Sequence, residues 1–367
     1  MLRMSFPLIG AILAAALPAL AQSTVLPEGP GKETVEQACA KCHALTNITR
    51  SGHTPQEWDT VLHMMINAGA QVPTDKFATV AGYLAKNFPA KKLPAAMILP
   101  GAVHVAITEW DVPIAGSRPH DPMYAPDGSV WYTGQMANVL GRFDPKTQKF
   151  KEYPLPAQSG PHGLIADHDG NVWYTANFKG YIGKLDPKSG KVSQYPMPDP
   201  AARDPHTLLL APNGNIYFTA QNANMVGRID PDTLAIREFV LPNADARPRR
   251  VAITADDMIW YSDYARGFLG RLDPKTGKVT EWPSPGGSRS QPYGIAAFGD
   301  AIWYSESNIE PNTLVRFDIK TQKFETWPIP SGGGVVRNMV TTPDGNLWLA
   351  CSGVNKIAFV QIRKTAN

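Results

Sequence analysis

A repeat of roughly 43 residues runs through most of this chain and limits the folds open to it. Its clearest marker is a WYT-type run, and successive copies lie roughly 42–45 residues apart. The aromatic residues that begin this run in the six copies are Trp131, Trp173, Tyr217, Trp260, Trp303 and Trp348. A second marker, an aromatic residue that follows a Glu or Gln and precedes a proline, keeps the same interval. A period of this length is typical of β-propeller blades.

Each copy predicts four short antiparallel strands. In the copy from Gly160 to Pro198, an apolar run (His162 to Asp167) leads into Asp169-Gly170, a dipeptide that favours a tight hairpin because both turn residues need positive φ. The WYT run follows, then Tyr181 to Leu185, then the strand that carries the second marker. Four such strands make one propeller blade.

The two ends of the repeat region predict how the ring closes. The last copy stops after three strands, near Ile362, whereas the marker Glu109-Trp110 precedes the first full copy. We therefore expect Ile107 to Pro113 to form the outer strand of the last blade, which leaves no open sheet edge. The predicted fold of residues 103–367 is mainly β: a six-bladed β-propeller with four-stranded antiparallel blades, closed by an N-terminal strand.

Composition and the N-terminus narrow the setting. The chain has 367 residues, 43% of them apolar, and a formal net charge of +3, so a large core is expected and a nucleic-acid-binding surface is not. Residues 1–21 combine Arg3, an apolar run and an Ala-Leu-Ala end, which predicts a signal peptide cleaved after Ala21 and a periplasmic location. The apolar run is short and interrupted by Pro7, so we expect no integral membrane span in the mature chain.

Export makes the cysteine pattern informative. Three cysteines are too few for a disulfide framework, and two of them lie in Cys39-Ala40-Lys41-Cys42-His43, the CXXCH pattern of c-type haem attachment. We expect one covalent haem c, bound through thioethers to Cys39 and Cys42 with His43 as proximal iron ligand. Cys351 is expected to be a small buried residue.

The residues around this motif predict a small all-α domain at 22–90. Thr54-Pro55-Gln56-Glu57 is a capping box that opens a helix through Trp58 and Met65, and Thr74-Asp75 opens a second helix. This order of CXXCH, Met-bearing segment and terminal helix resembles class I c-type cytochromes. Residues 91–102 are a proline-bearing linker into the propeller.

The sixth ligand of the haem iron is assigned to Met65. It lies seven residues after Trp58, on the same helical face, and precedes Gly69-Ala70, an arrangement similar to that of short cytochrome domains. The alternatives are Met64, Met97, His53 and His63.

Superposition of the six copies aligns polar residues at the start of the innermost strand. They are His120, His162, His206, Arg249, Tyr293 and Arg337. At the end of the next strand the copies carry Gly134, Ala176, Ala220, Asp263, Glu306 and Cys351. An innermost strand starts where its hairpin partner ends, so both sets are expected at one mouth of the central channel. There, Asp263 and Glu306 either bind a divalent ion, Mg or Ca, or pair with Arg249 or Arg337; His104 and His168 are expected on the surface.

Four motifs resemble the repeats of the virginiamycin B lyase family, the streptogramin B lyases. They are PHG (Pro161 to Gly163), WYSE (Trp303 to Glu306), IGKLD (Ile182 to Asp186) and EYPLP (Glu152 to Pro156), and the resemblance covers about Val103 to Ile362. Those enzymes open a cyclic depsipeptide by elimination across its ester C–O bond, with a magnesium ion and a histidine base. The resemblance implies Glu306 as a metal ligand and His162 or His206 as the base.

Three function classes follow. The favoured one is an exported electron-transfer or oxidoreductase protein, in which the propeller binds a small polar or anionic molecule, or a periplasmic redox partner, at its His/Arg face. The second is a metal-dependent C–O lyase with an accessory cytochrome. It ranks second because an elimination involves no net oxidation or reduction and so needs no haem. A non-catalytic binding or scaffold propeller is the third. Reduction of the haem by a substrate would separate the first from the others.

Overall fold

The computed structural model describes residues 25–196, 209–211, 214–220, 223–230, 232–233 and 235–364. The predicted signal peptide and His206 lie outside these residues. The described N-terminal part contains α1 (Lys32–Cys39), α2 (Thr46–Thr49), α3 (Pro55–Asn67), a 3₁₀ turn (Thr74–Lys76) and α4 (Phe77–Asn87). Across the described ranges, no helix has both the length and the apolar character needed to span a membrane.

The start of α3 confirms the predicted capping box. The Thr54 hydroxyl accepts a hydrogen bond from the Glu57 amide at 3.2 Å, and the Glu57 carboxylate accepts one from the Thr54 amide at 2.8 Å. The second predicted helix begins slightly later than expected, because a 3₁₀ turn occupies its first residues. α3 and α4 share a core, and Trp58 Nε1 donates to the Phe88 carbonyl at 2.8 Å.

Six four-stranded antiparallel sheets follow, and they form a propeller. The first strand along the chain, β1 (Val103–Asp111), belongs to the last sheet. Blade 1 contains β2 (Pro119–Tyr124), β3 (Val130–Gly134), β4 (Val139–Asp144) and β5 (Lys149–Pro154). Blade 2 contains β6 (Pro161–Ala166), β7 (Val172–Ala176), β8 (Tyr181–Leu185) and β9 (Val192–Pro196). Blade 3 contains β10 (Leu209–Leu210), β11 (Ile216–Ala220), β12 (Met225–Ile229) and β13 (Ile236–Val240).

The second half of the ring repeats this plan. Blade 4 contains β14 (Pro248–Ile253), β15 (Ile259–Asp263), β16 (Phe268–Leu272) and β17 (Val279–Pro283). Blade 5 contains β18 (Pro292–Phe298), β19 (Ala301–Glu306), β20 (Thr313–Asp318) and β21 (Lys323–Pro328). Blade 6 contains β22 (Val336–Thr341), β23 (Leu347–Cys351), β24 (Lys356–Lys364) and β1. β1 pairs antiparallel with β24, Ile107 opposite Val360, which confirms the predicted closure.

The WYT run joins neighbouring blades through opposite faces. Trp131 stacks on Tyr153 of its own blade at 5.3 Å between ring centroids and packs in a cluster with Tyr174 of blade 2. Tyr132, the next residue, points the other way and packs with Trp348 of blade 6. A glycine on the third strand makes room for this tyrosine, because a Cβ at Gly141 would lie 2.0 Å from the Tyr132 ring. Large side chains therefore fill the gaps between blades without widening them.

The helical segment packs against one end of the propeller. α3 contacts the 3₁₀ turn Ser352–Val354, and Asn67 Nδ2 donates to the Ala115 carbonyl at 2.9 Å. A Cβ at Gly116 would lie 2.4 Å from the Met64 amide nitrogen, so the loop into β2 approaches the α3 backbone closely. This loop enters β2 at its first residue, so the contact is at the end of the ring where the innermost strands start.

The predicted linker is bonded to blade 5 along part of its length. The Thr326 amide donates to the Leu99 carbonyl at 2.9 Å, and the Leu99 amide donates to the Thr326 hydroxyl at 2.7 Å. A second pair of backbone hydrogen bonds joins Glu310 to Pro94 and Ala96. The segment therefore anchors the helices to the propeller, in addition to connecting them.

Candidate functional site

A β-bulge lies at the start of the innermost strand, at the channel mouth, in five of the described blades. The strand register shifts at the mouth end in β2, β6, β14, β18 and β22, so two residues there oppose one residue of the hairpin partner. The first residues of these pairs are the predicted His120, His162, Arg249, Tyr293 and Arg337. The second residues, which the sequence analysis did not single out, are Asp121, Gly163, Arg250, Gly294 and Asn338.

The hydroxyl of the WYT-type run fixes this bulge. Thr133 Oγ1 accepts from the Asp121 amide at 3.0 Å and donates to the His162 carbonyl of blade 2 at 2.8 Å. Ser262 repeats the arrangement, because its Oγ accepts from the Arg250 amide and donates to the Tyr293 carbonyl of blade 5 at 2.7 Å. A hydroxyl at this position therefore holds the mouth residues of two adjacent blades in place.

Two of the predicted histidines meet in a buried cluster. The ring centroids of His120 and His162 are 3.8 Å apart, and each residue is 3% exposed. His120 Nδ1 lies 2.8 Å from Asp121 Oδ1. Arg250 reaches the same carboxylate, with Nη2 2.6 Å from Oδ1 and Nη1 3.3 Å from Oδ2, and its Nε donates to the Arg337 carbonyl at 3.2 Å. This cluster therefore joins blades 1, 2, 4 and 6.

The other predicted mouth residues form a cationic and phenolic cluster. The Arg249 and Arg337 guanidinium carbons lie 4.7 and 5.7 Å from the centroid of the Tyr293 ring, and Arg337 Nη1 donates to the Tyr293 hydroxyl at 3.3 Å. Burial acts to raise the pKa of Tyr293, but Arg337, Arg250 and Arg249 together lower that pKa below its usual value. The surroundings of this phenol therefore favour a negative charge.

Two further residues belong to this cluster and were missed. Tyr264 lies perpendicular to Tyr293 with ring centroids 5.7 Å apart. Burial, followed by repulsion from Arg337, lowers the pKa of Arg118 to about 9. Neither Arg118 nor Arg337 forms an ion pair with a carboxylate of the described residues. Arg118 precedes Pro119, the first residue of β2, whereas the residues aligned between the repeats follow that proline, and the alignment therefore did not include Arg118.

The two predicted cation ligands are held inside their own blades. Asp263 is fully buried, accepts the Arg247 amide at 3.0 Å and pairs with Arg266 Nε at 2.7 Å. Glu306 is fully buried and accepts from the Ser284 hydroxyl, the Gly286 amide and the Thr313 hydroxyl. Asp263 therefore pairs with Arg266, and Glu306 is bound by hydroxyl and amide donors near its own blade; the cation site predicted for both from sequence stays a prediction.

Three smaller predictions about single residues are confirmed. Cys351 is fully buried, and burial raises the pKa of its thiol. His104 and His168 are exposed at the surface.

The CXXCH motif lies at the edge of the helical core. Cys39 ends α1, is buried, and belongs to the cluster that contains Trp58 and Leu62, whereas Cys42 is exposed. Both thiols are free, and the Cys42 amide donates to the Cys39 carbonyl at 3.4 Å, so one turn holds them together. His43 follows directly, partly exposed. Two free thiols and an adjacent imidazole are the donor set that covalent haem c requires.

The five candidates for a distal ligand occupy different surroundings. Met65 is partly exposed on α3, whereas Met64 is buried where α3 meets the loop at Gly116. The imidazole of His63 lies 3.3 Å from Asp59, and that of His53 lies 4.7 Å from the Trp58 ring between centroids. Met97 is exposed on the linker, and its carbonyl accepts from Thr326 at 2.6 Å.

Six four-stranded blades around a polar channel define a β-propeller with its candidate site at one mouth. The chain belongs to the virginiamycin B lyase family, whose model matches residues 100–266 and 233–366. No curated protein matches the chain.

The chain is similar to several solved structures. A streptogramin B lyase is 22% identical with a TM-score of 0.51, covering 71% of this chain and 98% of that one. A virginiamycin B lyase from Staphylococcus aureus is 24% identical with a TM-score of 0.48, covering 70% and 99%. The PQQ-bound aldose sugar dehydrogenase from Streptomyces coelicolor is 16% identical with a TM-score of 0.50, covering 72% and 100%.

Proposed function

We propose that this chain is an exported c-type haem protein with an electron-transfer or oxidoreductase role, and that its propeller binds a small anionic molecule or a redox partner at the channel mouth. Cys39 and Cys42 would hold the haem, with His43 and Met65 as iron ligands. When bound, haem c supplies one-electron transfer.

The observation that carries this proposal is the contact between the helices and the mouth. α3, which bears Met65, packs against the loop that contains Gly116, and Arg118 follows that loop at the edge of the cationic cluster. A redox group held by the helices would therefore lie close to whatever binds at the mouth.

The side chains at the mouth suit an anion. Arg249 and Arg337 already lower the pKa of the Tyr293 phenol, and the same guanidinium groups would stabilise a carboxylate or phenolate. Arg118 adds a further cation there. His162 would accept a proton from the bound molecule as that molecule is oxidised. Binding, charge stabilisation and proton acceptance would then all be functions of this chain's own residues.

The family supports a second candidate, a metal-dependent C–O lyase. In this reading Glu306 would be a ligand of magnesium and His162 or His206 the base. The Glu306 carboxylate, however, already accepts three hydrogen bonds within blade 5 and its connections. A magnesium ion requires about six oxygen ligands, so water would have to supply most of them.

The test replaces His162 and His206 together by alanine. Reduction of the haem is followed against a panel of periplasmic small molecules, with and without a chelator, and a His104→Ala/His168→Ala double variant serves as the control for lost surface imidazoles. The proposal expects reduction in the wild type and the control, and its loss in the His162/His206 variant. Unchanged reduction in that variant would refute the site. Chelator-sensitive opening of a streptogramin B by a protein whose haem stays redox-silent would establish the lyase instead.

A further inference from the structure

A second site is suggested by three buried side chains at the channel. His120, Asp121 and His162 each offer one ligand atom, and these atoms lie within 4.8 Å of one another. All three residues are buried, and they come from two neighbouring blades. Within the residues that the structure describes, this is the one place where three potential metal ligands of the His, Cys, Asp and Glu types converge so closely.

The spacing within this group is close to that of metal ligands. His120 Nδ1 and Asp121 Oδ1 are 2.8 Å apart. An ion with ligands at about 2.1 Å separates neighbouring ligand atoms by about 3.0 to 3.4 Å. A cation bound by these two atoms would replace their hydrogen bond with a shift of a few tenths of an ångström, and it would also displace Arg250 Nη2, which lies 2.6 Å from Oδ1 and 3.5 Å from His120 Nδ1. Because the three ligand atoms lie within 4.8 Å of one another, the widest pair would have to close by up to about 1.4 Å.

Surrounding residues fix the carboxylate as an outer shell would. Arg250 contacts both carboxylate oxygens, with Nη2 2.6 Å from Oδ1, the proposed ligand atom, and Nη1 3.3 Å from Oδ2, and Thr133 Oγ1 accepts from the Asp121 amide at 3.0 Å. Ligating carboxylates are commonly hydrogen-bonded in this way. Arg250 also adds positive charge to a buried site, so a divalent ion here requires an anionic further ligand, such as hydroxide or a carboxylate.

We propose that His120, Asp121 and His162 bind one divalent first-row transition ion of the Zn²⁺ class. Two imidazoles and one carboxylate suit such an ion, whereas Mg²⁺ and Ca²⁺ prefer oxygen ligands. Three protein ligands leave a position for the anionic ligand. This site is distinct from Asp263 and Glu306 and does not depend on the haem. It shares His162 with the proposed function, so metal binding and proton acceptance by His162 belong to the zinc-bound and the zinc-free protein, respectively.

The experiment uses the full-length protein as it is purified. The protein is stripped with a chelator and titrated with Zn²⁺ by calorimetry, and the zinc retained after gel filtration is measured by mass spectrometry. The wild type is expected to retain one zinc per chain. Loss of a ligand in His162→Ala or Asp121→Asn should weaken binding by about a hundredfold. His104→Ala and His168→Ala, which remove exposed imidazoles, should bind as the wild type does.

Three results would overturn the site. They are no retained zinc in the wild type, equal affinity in the ligand variants, and loss of zinc only when Cys39 and Cys42 are changed to serine. Because Asp121→Asn disturbs the Arg250 ion pair, His120→Ala is the second variant. A zinc-dependent rise in the unfolding temperature should appear in the wild type and be lost in each ligand variant that folds.

Discussion

Arg250 on blade 4 donates to the carboxylate of Asp121 on blade 1 with an Nη2 to Oδ1 distance of 2.6 Å, and this ion pair crosses the central channel. The two blades stand three places apart in a ring of six, so they lie on opposite sides. Both side chains are almost fully buried, at 6% and 4% exposure. The pair therefore links the two halves of the propeller directly.

Arg250→Ala should strongly destabilise the protein. It removes the counter-charge from a buried carboxylate, so we expect the free energy of unfolding to fall by about 3–5 kcal/mol, and urea unfolding would measure this loss. The Asp121→Ala/Arg250→Ala double variant should lose less stability than the sum of the two single changes. Lys320→Ala, which breaks the exposed ion pair with Asp300, is the control and should have little effect. Additive single changes at Arg250 and Asp121 would contradict the coupling.

Tyr293 should ionise at lower pH than an ordinary tyrosine. Its pKa in the folded protein lies below the usual 10.0, because three guanidinium groups outweigh the effect of burial. As the pH rises, Tyr293 therefore loses its proton in the folded protein before it does so in the unfolded chain. The stabilisation of the fold by the Tyr293 phenolate begins as the pH rises through the folded pKa and is complete above the unfolded pKa. It is lost again as the pH falls through the folded pKa. Phenolate absorbance during an alkaline titration measures the pKa of Tyr293.

The matched variants for this titration are Tyr293→Phe and Tyr132→Phe. The first should remove the early phase of phenolate absorbance. The second should leave it intact, because burial and the nearby Glu152 raise the pKa of Tyr132. Identical curves for the wild type and Tyr293→Phe below the usual pKa would disprove the assignment.

Gly141→Ala should destabilise blade 1. The new Cβ would lie 2.0 Å from the Tyr132 ring, and overpacking of this kind costs about 3 kcal/mol in unfolding free energy. Gly82→Ala is the control, because Gly82 is exposed in α4 and a Cβ there meets nothing within 4 Å. It should stabilise α4 by up to about 1 kcal/mol. Equal effects of the two changes on thermal unfolding would show that the contact with Tyr132 is unimportant.

The mature protein should carry one covalent haem. Acid-acetone extraction should leave the colour with the protein, because thioether bonds to Cys39 and Cys42 survive the treatment. A Cys39→Ala/Cys42→Ala variant should release its colour or lack it, whereas Cys351→Ala should behave as the wild type. Extraction of the haem from the wild type would rule out thioether attachment.

Met65→Ala should open the haem iron to carbon monoxide. Removal of the distal thioether leaves a coordination position free, and the absorption spectrum of the reduced protein with and without carbon monoxide reports it. Met64→Ala and Met97→Ala should leave the iron closed, because Met64 is buried against the propeller loop and Met97 lies on the linker. An unchanged low-spin spectrum in Met65→Ala would transfer the assignment to another residue.

The architecture could be predicted because it depends on local sequence patterns. The interval between WYT runs predicted six blades, Glu109-Trp110 predicted the closing strand, and the capping box at Thr54 predicted the start of α3; all three are confirmed. The positions of the candidate mouth residues also followed from strand direction, since an antiparallel partner ends where its neighbour begins.

The partners of those residues could not be predicted in the same way. Asp121 and Arg250 face each other because each innermost strand bulges at the mouth and because blades 1 and 4 are opposite in the closed ring. Neither the bulge nor the ring's diameter is encoded in the spacing of one repeat. The local donors to Asp263 and Glu306, Arg266 and Ser284 among them, could not be predicted from the repeat either.

The sequence by itself determined the repeat, the number of blades, the closing strand and the chemistry available at the mouth, because these depend on residue order and short-range periodicity. The tertiary structure alone decided which side chains meet: His120 with His162, Tyr293 with Arg337, and α3 with the loop at Gly116. The physical reason is that these contacts join segments far apart in the chain, and their geometry arises only when all six blades close into one ring.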